Sequence, residues 1–244
     1  MNVYSFEATE DVVTAYADHI IALAALNIAD HGLFNIVLSG GGSPKKVYTL
    51  LSSSQYRSQI NWKRVYFFFG DERYVPSDHP DANARMADET LMQSLNISDD
   101  QIFRVDTSLE PAAAAAKDYE RQIASHFDDK EIRFDLCMLG LGTDGHTASL
   151  FPHTDILAET MAGVRSVYLA DKEVFRISMT APLINQSKQI SFLVFGEDKA
   201  SAVSEVLTGR RNSDHYPAQL IDPLDGELEW FIDSDAGSKL SPGE

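Results

Sequence analysis

Cysteine is all but missing: Cys137 is the only thiol in 244 residues. No intramolecular disulfide can therefore form, and no multi-cysteine metal site can be assembled. Basic residues are scarce as well. Lys and Arg number 20 against 37 Asp and Glu, a formal net charge of −17. A surface this acidic repels phosphate backbones and anionic lipid, so nucleic acid and membranes are not expected partners. An anionic small molecule would need positive groups gathered in one pocket. No uninterrupted apolar stretch approaches the roughly 18–20 residues of a membrane span. Met1-Asn2-Val3-Tyr4-Ser5-Phe6-Glu7 lacks the basic segment and apolar run of a secretory signal. The expectation is a cytoplasmic protein with no obligate protein partner indicated.

Several catalytic signatures are also absent. There is no G-x-S-x-G elbow of an α/β-hydrolase, no H-E-x-x-H zinc helix and no Walker A loop. No Pro/Ser-rich linker or internal repeat divides the chain, so residues 1–244 are read as a single domain.

What is present is an alternation of short apolar runs with helical patterns. Phe34 to Ser39, Arg64 to Phe69, Phe134 to Leu139 and Ile190 to Phe195 are each closed by glycine. Unbroken apolar strands suit a parallel sheet covered on both faces. Asp11–Ala29, Ala82–Leu95 and Ala112–Phe127 carry apolar residues at helical spacing. Gly163–Leu169 and Val174–Met179 alternate as a hairpin-like addition, and Glu229–Asp233 reads as a final edge strand. The fold class is α/β, a Rossmann-like domain with a mostly parallel sheet, flanking helices and a small extra strand region.

Ligands in such sheets sit beyond the carboxyl ends of the strands, so the residues after each strand hold the chemistry. Ser39-Gly40-Gly41-Gly42-Ser43-Pro44 combines glycines with a Ser-Pro helix start. Ser43 is expected to cap that helix, whose free N–H groups would then face an anion such as phosphate. An ordinary strand-to-helix turn would use the same residues. Gly70-Asp71-Glu72-Arg73 places three charges directly after a triple-phenylalanine strand. Arg73 there suits an oxyanion or carboxylate; the plainer alternative is that one acid caps a turn and another pairs with Arg73.

Gly140 to Gly145 matches G-x-G-x-x-G literally, but Pro152 restricts the helix a dinucleotide site needs, and no acidic strand end follows. The glycines instead frame Asp144 and His146. An imidazole two positions from a carboxylate is a candidate general base, although a lone histidine is often structural. Arg176, within a strand pattern, and Lys199, after Gly196, are further candidate anion ligands; surface ion pairing would also explain them. Cys137 lies in an apolar strand and reads as inert core.

Taken in order, these segments resemble the lactonase branch of the glucosamine-6-phosphate isomerase/6-phosphogluconolactonase superfamily. The match runs from Leu38–Pro44 through Gly70–Arg73 with His79, Asp81 and Asn83, then Gly140–Pro152, Arg176–Thr180, Gly196–Ala200, Pro217–Gln219 and Trp230–Asp233. Asp144-Gly145-His146-Thr147-Ala148-Ser149-Leu150-Phe151-Pro152 is similar to the lactonase form, and no acid stands where the deaminase branch carries a glutamate. Thr143, His153 and Val174-Phe175 depart from the usual lactonase pattern; glycine is common at the position of His153. The resemblance implies hydrolysis of 6-phospho-D-glucono-1,5-lactone without cofactor or metal. It implies His146 as base, Asp144 orienting it and Arg73, steadied by Asp71, at the oxyanion. Gly41, Gly42, Ser43, Arg176 and Lys199 would hold the phosphate. The rival readings are an amino-sugar phosphate deaminase and a non-catalytic sugar-phosphate sensor.

Overall fold

The computed structural model describes residues 1–128 and 130–240. Six parallel strands form the main sheet in the order β1-β9-β8-β5-β2-β3. They are β1 Asn2–Phe6, β2 Phe34–Leu38, β3 Val65–Phe69, β5 Leu136–Leu139, β8 Gln189–Val194 and β9 Glu227–Asp233. A second, antiparallel sheet is built from β4 Asp71–Arg73, β7 Val174–Met179 and β6 Val164–Leu169, in that order.

The unbroken apolar strands follow from cores on both faces. Ile36 and Leu38 point into one core, while Val37 between them points into the other. Phe67 and Phe69 alternate with Phe68 in the same way. Helix α1 (Thr9–His31) and helix α2 (Gly42–Leu51) cover the first face through Tyr16, Ile20, Val47 and Tyr48. The Ala112–His126 helix, the Ala200–Leu207 helix and the small sheet cover the second. Cys137 is wholly buried between these layers, and burial pushes its thiol up to about 12, which leaves it protonated and inert.

Three features depart from the sequence reading or extend it. Glu229–Asp233 is not at the sheet edge; β1 pairs with it along its length, Val3 opposite Trp230 and Phe6 opposite Asp233. β1 escapes a hydrophobicity reading because it is a largely exposed edge strand, whereas β9 beneath it buries Trp230, Phe231 and Ile232. Asp71–Arg73, which directly follows the triple-phenylalanine strand, is itself a short strand, since its backbone pairs with β7 and Met179 N–H donates to Gly70 O at 2.9 Å. Finally, α1 is long and apolar enough to cross a membrane by length and composition. Its apolar residues are interspersed with Glu10, Asp11, Asp18 and Asp30, so no continuous run is seen. In the fold, Val12, Tyr16, Ile20 and Ala24 form one buried stripe against the sheet.

Because all six main strands are parallel, their carboxyl ends share one edge. The chain passes from β2 to β3 on one side and returns through β5 to β8 on the other. The point of divergence lies between β2 and β5, where a crevice is expected.

Candidate active site

At that point a cavity of about 200 Å³ opens among the strand-end loops, lined by Gly41, Asp71, Arg73, Asn83, His146 and Lys199 with the glycine backbones between them. An adjoining cavity of about 460 Å³ shares Gly40, Gly41 and Lys199 and adds Gly42, Ser43 and Lys46. A larger cleft of about 650 Å³ lies beyond Phe151, but Asp144, Asp155 and Asp171 line it and no lysine or arginine does, which makes it unsuited to an anion.

The loop after β5 is shaped around His146. Its Nδ1 lies 2.5 Å from Asp144 Oδ1, and its backbone N–H donates to the same oxygen at 3.2 Å. A carboxylate at Nδ1 calls for the proton there, leaving Nε2 as the acceptor on a ring that lines the cavity. Half-burial would push the Asp144 carboxyl up, yet the hydrogen bond and charge of His146 outweigh it and hold the group down at about 2. Phe151 stacks on the imidazole with centroids 4.1 Å apart and planes at 26°. Thr147 Oγ1 donates to Gly140 O at 2.8 Å, and Gly142 N–H donates to His146 O at 2.8 Å. Gly142 has to be glycine: a Cβ there would collide with the His146 ring and Asp144 Oδ1. The literal match to a dinucleotide motif therefore reflects close approach of a histidine rather than of a pyrophosphate.

On β4 the three charges separate by strand alternation. Asp71 and Arg73 line the cavity, whereas Glu72 turns inward and is 2% exposed. Glu72 accepts N–H groups from Arg73 (2.7 Å), Asn83 (2.7 Å) and Ala84 (2.8 Å), which caps the helical segment 83–95. Burial raises its carboxyl to about 7 against the opposing pull of those three donors. The raised value means that the folded state holds a proton the unfolded chain releases near its ordinary 4.5. Stability should thus decline as pH rises from about 4.5 to about 7, by at most about 3 kcal/mol. Glu72→Gln removes this slope, leaving only a pH-independent offset. Melting temperatures of both proteins at pH 5 and pH 7.5 measure the difference; parallel pH dependences would rule the assignment out.

The expected support of Arg73 by Asp71 is replaced by another arrangement. Arg73 Nη1 donates to Asp81 O at 2.6 Å. The Asp71 carboxylate instead accepts the Ser149 hydroxyl at 2.6 Å, and Asp71 O accepts from Asn83 Nδ2 at 2.9 Å. Ser149 N–H also donates to Ser178 Oγ at 3.2 Å. Ser149 thus fastens the histidine loop to β4 and β7, a function that sequence spacing does not reveal. Asn83 packs its carboxamide where a side chain on Gly40 would sit, which joins the β4 end to the first glycine loop.

In that loop the expected Ser43 cap is corrected. Helix α2 starts at Gly42, with Gly41 at the cap position in a left-handed conformation (φ 98°) and no side-chain cap. Glycine alone makes this turn cheap, so the backbone enters the helix before Ser43 is reached. The first intrahelical bond is Lys45 N–H to Gly41 O at 3.3 Å, which leaves the amides of Gly42 and Ser43 without helical partners. Tyr48 holds the strand end, donating to Ser39 O at 2.9 Å and accepting Ser39 N–H at 3.1 Å. Lys199 adds its ammonium from the turn before the Ala200–Leu207 helix, 3.5 Å from Asp198.

Arg176 is not among the residues that line these two cavities. It stands directly opposite Arg73 across β4 and β7, so the two guanidinium groups leave the same face. Burial and the neighbouring Arg73 both lower its ordinary value. Gly41, Asp71, Arg73, His146 and Lys199 are thus gathered at one cavity, with Gly42 and Ser43 in the adjoining space, Asp144 behind the histidine and Arg176 beside Arg73.

Comparisons with known proteins place the chain in a family. Residues 7–230 match the family model for glucosamine-6-phosphate isomerases/6-phosphogluconolactonase. A 6-phosphogluconolactonase of Synechocystis is 39% identical over 219 residues, 88% of each chain. One from Haemophilus influenzae is 35% identical over 236 residues, covering 97% of this chain and 98% of the relative. The solved 6-phosphogluconolactonase of Trypanosoma brucei superposes with a TM-score of 0.86 at 26% identity, over 98% of both chains. The chain belongs to the glucosamine-6-phosphate isomerase/6-phosphogluconolactonase family.

Proposed function

We propose that residues 1–244 act as one catalytic domain that hydrolyses 6-phospho-D-glucono-1,5-lactone to 6-phosphogluconate, the second step of the oxidative pentose phosphate pathway. The carrying observation is that His146, paired with Asp144 behind it, lines the same cavity as Arg73 and Lys199. A δ-lactone carbonyl is electrophilic enough for water to attack once a base removes a proton. His146 Nε2 takes that proton as the water oxygen bonds to C1. The Arg73 guanidinium, with Arg176 beside it, meets the charge that develops on the carbonyl oxygen. Collapse of the tetrahedral intermediate breaks the bond from C1 to the ring oxygen. The proton on His146 passes to the departing alkoxide, giving the open-chain hydroxy acid and the free base, and the new carboxylic acid then releases its proton to solvent to become the carboxylate. Asp144 keeps the imidazole in the required tautomer and steadies its charged form.

The other end of the cavity suits the phosphate. Lys199 and the unpartnered amides of Gly42 and Ser43 converge there, and they supply the local positive field that an overall charge of −17 withholds. The segment after His146 supports the lactonase over the deaminase chemistry. Leu150 is fully buried, Phe151 covers the imidazole and Ser149 is engaged by Asp71, so no carboxylate stands beside the ring from that side. A phosphorylated substrate is retained within the cell, which fits a cytoplasmic enzyme.

Lys199→Ala should raise KM about 10–100-fold with kcat nearly unchanged, because a charge-assisted contact made equally in ground and transition states is lost. The same variant should erode the preference for the phosphorylated lactone over unphosphorylated glucono-1,5-lactone. Initial rates on both substrates test the reading. A wild type indifferent to the phosphate, or a Lys199→Ala variant that loses kcat alone, would refute it.

A further inference from the structure

His153, Asp214 and His215 lie outside the substrate cavity and take no part in the chemistry above. His153 Nδ1 is 2.7 Å from Asp214 Oδ2, and His215 Nδ1 is 3.9 Å from that same oxygen. The imidazoles stand almost perpendicular, at 87° with centroids 4.6 Å apart. One nitrogen of each ring and one carboxylate oxygen all fall within 4.8 Å of one another. Among the described residues, this is the one such group of three metal-ligating side chains.

The backbone around the cluster is already fixed. His153 N–H donates to Asp214 O at 3.2 Å, and the amides of His215 and Tyr216 both donate to Asn212 O. His153 itself is held at φ 61°, a left-handed conformation that disfavours side chains beyond glycine by about 1–2 kcal/mol. A histidine is therefore kept at a strained position with its Nδ1 turned onto a carboxylate.

We propose that His153, Asp214 and His215 form a binding site for a divalent transition metal of the zinc class, with solvent completing the coordination shell. Two imidazole nitrogens with one carboxylate oxygen suit zinc, cobalt or nickel and offer too little oxygen for magnesium or calcium. Ligand atoms about 2.1 Å from a tetrahedral ion sit about 3.4 Å from one another. The separations of 2.7 and 3.9 Å to the carboxylate bracket that spacing and the imidazole nitrogens lie within 4.8 Å of each other, so small side-chain rotations admit the ion. All three side chains are more than half exposed, which leaves room for solvent ligands, and the acidic surface draws cations.

The position gives the site a consequence. The 151–154 segment carries Phe151 against the catalytic imidazole, and the segment with Asp214 and His215 continues into Tyr216, which packs on Gly145. Metal at this point ties together the two flanks of the histidine loop without entering the reaction. His153 and Asp214 are 61 residues apart, so no sequential ligand motif announces the site.

Titration of the full chain with Zn2+ and with Co2+, followed by calorimetry and by the visible spectrum of cobalt, tests the proposal. The expected result is one equivalent bound, with affinity reduced at least about tenfold in both His153→Gly and His215→Ala and kept in His146→Ala. His153→Gly relieves the left-handed strain, so its loss of metal cannot be ascribed to unfolding. Zn2+ should also raise the melting temperature of the wild type and not that of His153→Gly. Wild-type binding no tighter than millimolar would overturn the proposal. So would binding unchanged in the His153 and His215 variants, or binding lost in His146→Ala, which would place the ion on the catalytic pair.

Discussion

Replacing His146 by alanine should lower kcat by about 10²–10⁴-fold and leave KM within about twofold. That span is the usual contribution of a positioned general base. On the proposed reading the substrate is held by Lys199 and the Gly41–Ser43 turn, which line the cavities away from the imidazole, so ground-state binding should survive the change. The variant should also fold. His146 is attached to the protein through Asp144 and Phe151 at the surface of the loop, while the loop is pinned separately by Thr147 and Ser149. Steady-state kinetics on the purified variant, with circular dichroism as a fold check, measure the effect. A matched loss in kcat and binding would point to structural collapse instead of a missing base.

Gly142→Ala is expected to produce a loss of similar size from a residue with no chemistry of its own. A methyl group at 142 would overlap the His146 ring atoms Nδ1 and Cε1 and the Asp144 carboxylate oxygen together. Phe151 already stacks on the ring, which limits where it can go, so the imidazole is expected to shift off its carboxylate partner. A displacement of about 1 Å at a reacting group costs on the order of 10² in rate. Overpacking adds about 1–3 kcal/mol of destabilisation. Kinetic constants together with a melting curve separate the two effects. A Gly142→Ala enzyme with wild-type kcat would show that the observed pairing of His146 and Asp144 is not the catalytic one.

The parts of this molecule that the sequence exposes are those whose cause is local. β2, β3, β5 and β8 are legible because a strand between two cores has to be apolar at every position, as Ile36, Val37 and Leu38 show. The glycines around Asp144 and His146 are legible because close approach requires them. What stays hidden depends on partners distant in the chain. β1 is an exposed edge strand recognisable only through its pairing with β9. Asp71, Glu72 and Arg73 look alike as charges, and only strand alternation sends Glu72 inward to cap 83–95. Ser149 becomes important through Asp71, on a strand of the other sheet. Arg176 reads as an isolated cation until β4 and β7 set it against Arg73. The Ser43 cap fails for a more local reason, since the left-handed Gly41 starts the helix earlier than a capping serine would.

The central claim is that this cavity accelerates the opening of a phosphorylated δ-lactone by water. The most direct measurement is the rate at which the purified protein consumes freshly generated 6-phospho-D-glucono-1,5-lactone, with spontaneous hydrolysis subtracted. Release of ammonia from glucosamine 6-phosphate would be followed in parallel. The account predicts strong acceleration of lactone opening and no ammonia. A folded protein that leaves the lactone at its spontaneous rate, or that deaminates the amino sugar, would contradict it.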